Sequence, residues 1–266
     1  MMVKKLMTMH KENGVRCNII ILLFINISAF GMDMPLIPLE LSSHKYGKRL
    51  SIAIDQDNQN DVESLFKLSG SAWKIEYLLS TGKLNANKQS TKGHALIHWA
   101  TRGNNPDILE VLLKDPRTHR DIKNKNGCTA LGFAVAQGRV VITKLLLDYG
   151  ADPNIINENE ENKGDHHSIL HSAVMGYHAM GISYHIGYFT IIKSLLANVK
   201  TLVNKQDITG KTPLHYAVLL GDMALVNLFV CCNRVDQRIK DNDNKMALDY
   251  ARETNKQKLI KLLRNY

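Results

Sequence analysis

Apolar residues in this chain fall into short runs that come in pairs. Val62 to Leu68 and Ala72 to Leu79 both keep helical spacing, with a break at Gly70 and a stop at Gly82. The same pairing returns downstream. Leu96 to Ala100 is followed by Ile108, Leu109, Leu112 and Leu113, and Leu131 to Ala134 by Leu145, Leu146 and Leu147. Ile169 to Val174 is followed by Ile191, Ile192, Leu195 and Leu196, and Leu214 to Leu220 by Leu225, Val226, Leu228 and Phe229. Ala247 to Ala251 precedes a last run at Leu259, Ile260, Leu262 and Leu263. The pattern predicts pairs of short helices joined by turns. One such pair cannot bury its own apolar face, so the pairs must stack.

The helix starts repeat at an interval. Ala95 to Thr129 is 34 positions and Thr212 to Met246 is 34, whereas Thr129 to Ser168 is 39 and Ser168 to Thr212 is 44. The two long intervals coincide with an acidic stretch, Glu158 to Asp165, and with an insertion, Met175 to Ile186. The best-formed unit reads Gly210-Lys211-Thr212-Pro213-Leu214-His215-Tyr216-Ala217, followed by Gly221. Leu145 to Asn154 adds a Leu-Leu-x-x-Gly-Ala-Asp-x-Asn ending. With a period near 33 residues, these strings resemble the ankyrin repeat.

The resemblance implies an all-α solenoid of five to six helix-turn-helix units with hairpin-like fingers, at 61–91, 92–126, 127–160, 161–208, 209–243 and 244–266. It gives each motif residue a mechanical task. Gly127 and Gly210 allow the turn before the helix, Thr129 and Thr212 cap it, and Pro213 fills the first helical position. Leu214 and the small residues Ala100, Ala134, Ala173 and Ala217 face neighbouring helices, while His98, His171 and His215 bond to backbone of adjoining turns. Ala95 stands where a capping threonine belongs, a loss of about 1 kcal/mol at that helix start. Gly132 replaces the motif histidine and removes that unit's brace.

Such arrays bind other proteins through a concave face of first helices and fingers. Leu219 and Leu220 fall at the two variable places before Gly221, and Arg102, Ala136, Gln137, Glu253 and Thr254 at matching places; Trp99 joins this set. A shifted helix register would instead make the two leucines core. Lys123, Lys125, Lys211, Lys245 and Asn242 are expected at fingertips. The insertion is expected to project as a loop carrying Tyr177, His178, Tyr184 and His185.

Charge and composition add two things. The net charge is +9, of which Lys4, Lys5, Lys11 and Arg16 against Glu12 supply +3 in the first 31 residues, leaving +6. So diffuse a surplus suits acidic partners or membrane surfaces, and no nucleic-acid-reading motif accompanies it. The N-terminus has the form of an export signal over residues 1–31: a basic leader, an apolar segment opening at Ile19 to Ile25, and Ala29-Phe30-Gly31 before Met32. An uncleaved membrane anchor is the alternative. Residues 32–60, with the basic cluster His44 to Arg49, read as a linker with a short helix around Leu50 to Ile54.

Cys128, Cys231 and Cys232 remain beyond the leader, an odd number that gives no disulfide framework. No phosphate loop, zinc pattern or nucleophile motif is present, so neither an enzyme nor a cofactor is expected. His171, His178 and His185 recur every seven residues, but Gly176, Gly181 and Gly187 interrupt the helix that would align them, and no metal site is expected. The sequence thus points to a monomeric, non-catalytic protein-binding scaffold without a small-molecule substrate. A signal followed by such an array resembles the secreted ankyrin proteins of host-associated bacteria, with a periplasmic or envelope factor that protects or assembles a partner as the alternative.

Overall fold

The computed structural model describes residues 39–155, 167–179 and 182–264. The proposed signal and the acidic stretch lie outside them. The chain divides into two units, Met1–Ser42 and Ser43–Tyr266, and every side-chain contact that follows lies within the second. Among the described residues there are thirteen helices and no strand, apart from one isolated bridge between Lys240 and Met246. No helix there is long and apolar enough to cross a membrane.

Helix α1 (Leu39–Asp55) precedes six pairs: α2 (Gln59–Phe66) with α3 (Ser71–Ser80), α4 (Leu96–Arg102) with α5 (Pro106–Lys114), α6 (Ala130–Ala136) with α7 (Val140–Asp148), α8 (Ile169–Ala179) with α9 (Ile182–Ala197), α10 (Pro213–Leu220) with α11 (Met223–Val230), and α12 (Ala247–Glu253) with α13 (Gln257–Arg264). The first helices α2, α4, α6, α8, α10 and α12 pack on one another in chain order, and so do the second helices α3 to α13. The result is two helical layers sharing one continuous core.

Small residues make the first layer close. Ala100, Ala134, Ala173, Ala217 and Ala251 each stand five residues after the helix start and all are fully buried. Residues with no side chain beyond Cβ let neighbouring helix axes approach to the short end of the usual ~8–10 Å range. The second layer is filled by larger residues, among them Ile108, Leu112, Ile142, Leu146, Ile192, Leu195, Val226 and Phe229, all fully buried. Each such side chain contributes roughly 1.5–3 kcal/mol through the water it no longer touches.

The packed chain starts upstream of the expected boundary at Asp61. Tyr46, Leu50, Ala53 and Ile54 of α1 are buried, and the Tyr46 hydroxyl donates to the Leu65 carbonyl at 3.3 Å. Burial pushes that phenol's pKa well above its usual value. Helix α1, within the stretch read as a linker, therefore closes the N-terminal end of the described core.

Helix C-termini leave carbonyls without intrahelical partners and carry the negative end of the helix dipole. Here a cation 38 positions downstream, on the next unit, answers several of them. Arg117 donates to the Leu79 carbonyl (2.5 Å), Arg139 to Thr101 (2.6 Å), Arg234 to Leu196, and Lys256 to Val218 (3.4 Å) and Leu219 (3.0 Å). Part of the positive charge is thus structural.

The fourth unit solves the same problem differently. The hydroxyl of Tyr188, a fully buried residue of α9, donates to the Ala136 carbonyl at the end of α6 at 2.7 Å. Its ring lies over two glycines: a Cβ on Gly176 would sit 2.4 Å from the ring, and one on Gly138 3.1 Å. The insertion accordingly lengthens α8 and α9 to 11 and 16 residues and does not form the expected loop. Gly176 and Gly187, expected to interrupt helices, lie within them. Gly176 admits the Tyr188 ring, while a Cβ on Gly187 would meet the Gly138 carbonyl oxygen only at an ordinary 3.5 Å.

Two stability predictions follow from the ring. Gly176→Ala, which would gain about 1 kcal/mol in an open helix, should lower the melting temperature because the methyl overlaps Tyr188. Tyr188→Phe should cost about 1–2 kcal/mol in urea unfolding by leaving the Ala136 carbonyl unpaired.

Candidate interaction surface

The surface is built on a repeated side-chain device at the start of each first helix. His215 Nδ1 lies 3.1 Å from the Thr212 amide and 2.8 Å from its hydroxyl, while Nε2 lies 3.2 Å from the Lys245 carbonyl of the next unit. An amide can only donate and a carbonyl only accept, so the ring is neutral with its proton on Nε2. His171 repeats this between Ser168 and the Lys211 carbonyl (3.1 and 3.0 Å), and His98 between Ala95 and the Cys128 carbonyl (3.0 and 3.2 Å). Ala95 lacks the hydroxyl, and there His98 Nδ1 accepts from the backbone amide alone. In the third unit, where Gly132 leaves no ring, the Thr129 hydroxyl accepts the Gly132 amide at 3.1 Å. In the sixth, Asp249 takes the histidine's role toward the Met246 amide at 3.0 Å.

These rings pin the fingers. The carbonyls they reach directly precede the next helix start, so each first helix is tied to the finger beside it. Finger also binds finger: Gln89 Nε2 donates to the Gly93 and Lys123 carbonyls (2.7 and 2.8 Å), and the Lys125 amide to the Lys92 carbonyl (3.1 Å). Gln206 and the Asn242 amide repeat the pattern on Gly210, Lys240 and Thr209. Gly210, with φ +77°, is doubly required: a Cβ there would stand 2.6 Å from the Asn242 amide nitrogen. Inside the last two fingers, Asp207 and Asp241 are buried and accept from backbone amides and from the Tyr216 and Tyr250 hydroxyls. Burial raises the pKa of both carboxyls, but those hydrogen bonds outweigh it and the net shift is downward.

On this frame the seventh residue after each helix start forms a row across successive packed helices: Arg102, Ala136, Met175, Leu219 and Glu253. Ala136, Met175, Leu219 and Glu253 are exposed, and Arg102 is half-buried. Met175 (41 %) and Leu219 (37 %) are large apolar side chains left in water on neighbouring helices. Glu253 is held by Lys245 at 2.6 Å. The sequence reading missed Met175 because it was counted as the first inserted residue. Numbering seven positions on from Ser168 finds it.

The other expected contact residues separate into two groups. Leu219 faces solvent and Leu220 packs partly on the core, which excludes the register that would bury both. Lys125, Gln137 and His178 are exposed. Trp99 is buried, its ring 5.0 Å from His94 within the first layer, so it is not a surface contact. Tyr177 is buried too, donating to Asp222 Oδ2 at 2.7 Å and stacking on His185 at 4.3 Å; it anchors α8 to the next unit and does not project. The side chain of Tyr184 lies outside the described residues. Lys211 is paired with Asp241 at 3.6 Å, and Lys211 and Lys245 flank the Tyr250 ring at 5.6 and 5.4 Å, so both fingertip lysines already serve the stack. His178 and His185 lie on different helices, and among the described residues no group of three metal-ligating side chains is assembled.

Burial, above all, drops the pKa of His98 and His171 to about 4 and also lowers that of His215. The unfolded chain, with histidine near 6.5, binds more protons than the folded one between those values, so stability is full above about pH 6.5 and falls toward pH 4. Thermal melts over that window should show the loss, up to about 3 kcal/mol per fully linked ring. A His98→Ala/His171→Ala chain should be less stable at pH 7 but flatter in pH.

Comparison with known proteins agrees with this geometry. The family model described as ankyrin repeats (3 copies) matches residues 50–157 and 179–266. The ankyrin repeat protein L371 of Acanthamoeba polyphaga mimivirus is 27% identical over 202 residues, covering 74% of this chain and 24% of that protein. Human Rabankyrin-5 is 28% identical over 169 residues, covering 62% and 13%. The chain thus spans about a quarter or less of the length of these two relatives. Among solved structures, the ankyrin repeat domain of Bcl-3 (TM-score 0.59, 24% identity, 81% of this chain and 97% of that one) and the ankyrin repeat protein EF0377 (0.58, 23%, 82% and 97%) share the fold. With its period, its histidine-pinned fingers and a family match over most of its length, the chain belongs to the ankyrin-repeat family.

Proposed function

We propose that this chain is a non-catalytic binding protein that engages a partner protein over the exposed ends of its first helices, after export directed by residues 1–31. Ankyrin repeats are in general protein–protein interaction modules, and their folds are typically scaffolds rather than enzymes. The observation that carries the reading is the exposed row centred on Met175 and Leu219. Two large apolar side chains stand in water on adjacent helices. Flanking Gln137, His178 and half-buried Arg102 supply a polar rim, the arrangement of an interface core and its edge.

The test is a Met175→Asp/Leu219→Asp chain. Both residues are exposed, so unfolding free energy should stay within about 1 kcal/mol of the native chain. Proximity labelling should recover at least tenfold less of the native chain's partner proteins from the substituted chain; an unchanged set rejects this surface. Fractionation of the producing cells, with N-terminal sequencing of the product, tests export. A product starting at Met32 outside the cytoplasm is expected, and retention in the envelope would favour the envelope-factor role.

A further inference from the structure

We infer that the outward face of α1 docks on an anionic membrane surface, a role independent of the partner reading above. The buried side of this helix is made by Ser43, Tyr46, Gly47, Leu50, Ala53 and Ile54. The opposite side presents His44, Lys45, Lys48 and Arg49, all exposed, around Ile52, which is 45 % exposed one turn further on. Lys45, Lys48 and Arg49 have no ion-pair partner among the described residues. Asp55, the last residue of α1, is already neutralised by Lys88 at 2.6 Å.

The margin is apolar and cationic as well. Lys74 Nζ stands 5.5 Å from the ring of Tyr46, on the buried side of α1, and 5.5 Å from that of Trp73, which is 41 % exposed on α3, and Leu68 (46 %) lies in the turn that precedes α3.

A merely solvated helix face tends to alternate charge at three- and four-residue spacing. Here Lys45, Lys48 and Arg49 are like charges at those spacings and repel one another. Acidic headgroups would relieve that repulsion, while an aliphatic and an indole among the cations suit the interfacial layer of a bilayer. An acidic protein would satisfy the cations but would leave Ile52, Leu68 and Trp73 without matching chemistry.

The experiment uses the full chain with phosphatidylcholine vesicles, with and without phosphatidylserine. Three basic residues at a charged surface amount to about a hundredfold preference for the anionic vesicles, weakened by salt. Lys45→Glu/Lys48→Glu/Arg49→Glu should reduce that preference at least tenfold relative to the native chain, and the milder Lys45→Gln/Lys48→Gln/Arg49→Gln chain should reduce it if the first fails to fold. The basic leader, common to all three chains, cancels in this comparison. The protein has two tryptophans and Trp99 is buried, so a blue shift of emission on anionic vesicles reports Trp73. Equal binding by native and substituted chains, or unmoved Trp73 emission, overturns the inference. Binding of poly-glutamate as tight as that of the vesicles also overturns it, and assigns the face to an acidic protein.

Discussion

The close approach of successive first helices is the constraint from which the other features follow. It is set by Ala100, Ala134, Ala173, Ala217 and Ala251, buried at equivalent places in five consecutive units. A larger side chain at any of them would move one helix outward. The carbonyls of the next finger would then drift out of reach of His98, His171 and His215, whose Nε2 atoms now lie 3.0–3.2 Å from them. Layer spacing and finger position are therefore one variable. The exposed row inherits its alignment from the same spacing.

Regularity fails at the fourth unit, and the way it is repaired shows what the stack needs. The preceding unit has Gly132 where a histidine would reach across, and no cation 38 positions on to answer the carbonyls at the end of α6. Tyr188 answers one of them instead, brought there by two lengthened helices and admitted by Gly138 and Gly176. Tyr177 and Asp222 tie the same hairpin forward to the fifth unit. The insertion is a splice across a weak joint, built from buried aromatic hydroxyls rather than from a loop on the surface.

Charge follows the same logic. Arg117, Arg139, Arg234 and Lys256 are spent on helix ends, and Lys211 and Lys245 on Tyr250 and its carboxylate neighbours. What remains unpaired on α1 is local, not diffuse. A net charge of +9 alone could not separate these uses, because composition counts cations without saying which already face a carbonyl.

The sequence by itself determined the repeat, the two-helix unit and the tasks of Thr129, Pro213, Gly210 and the motif histidines. Each of these depends on contacts within a few residues or on a fixed period, and both are written linearly. It assigned Leu219 and Leu220 to the two variable places but left open a register that would bury both, and in the structure Leu219 is exposed and Leu220 half-buried. Only the tertiary structure decided that Trp99 and Tyr177 are buried and that α1 belongs to the core. Those outcomes depend on what a neighbouring unit presents many positions away, as the separations of 19 for Tyr46 and Leu65, 38 for Arg139 and Thr101 and 52 for Tyr188 and Ala136 show. Periodicity predicts such a partner while the period holds. At the fourth unit it does not hold, and there only packing identifies the residue that fills the gap.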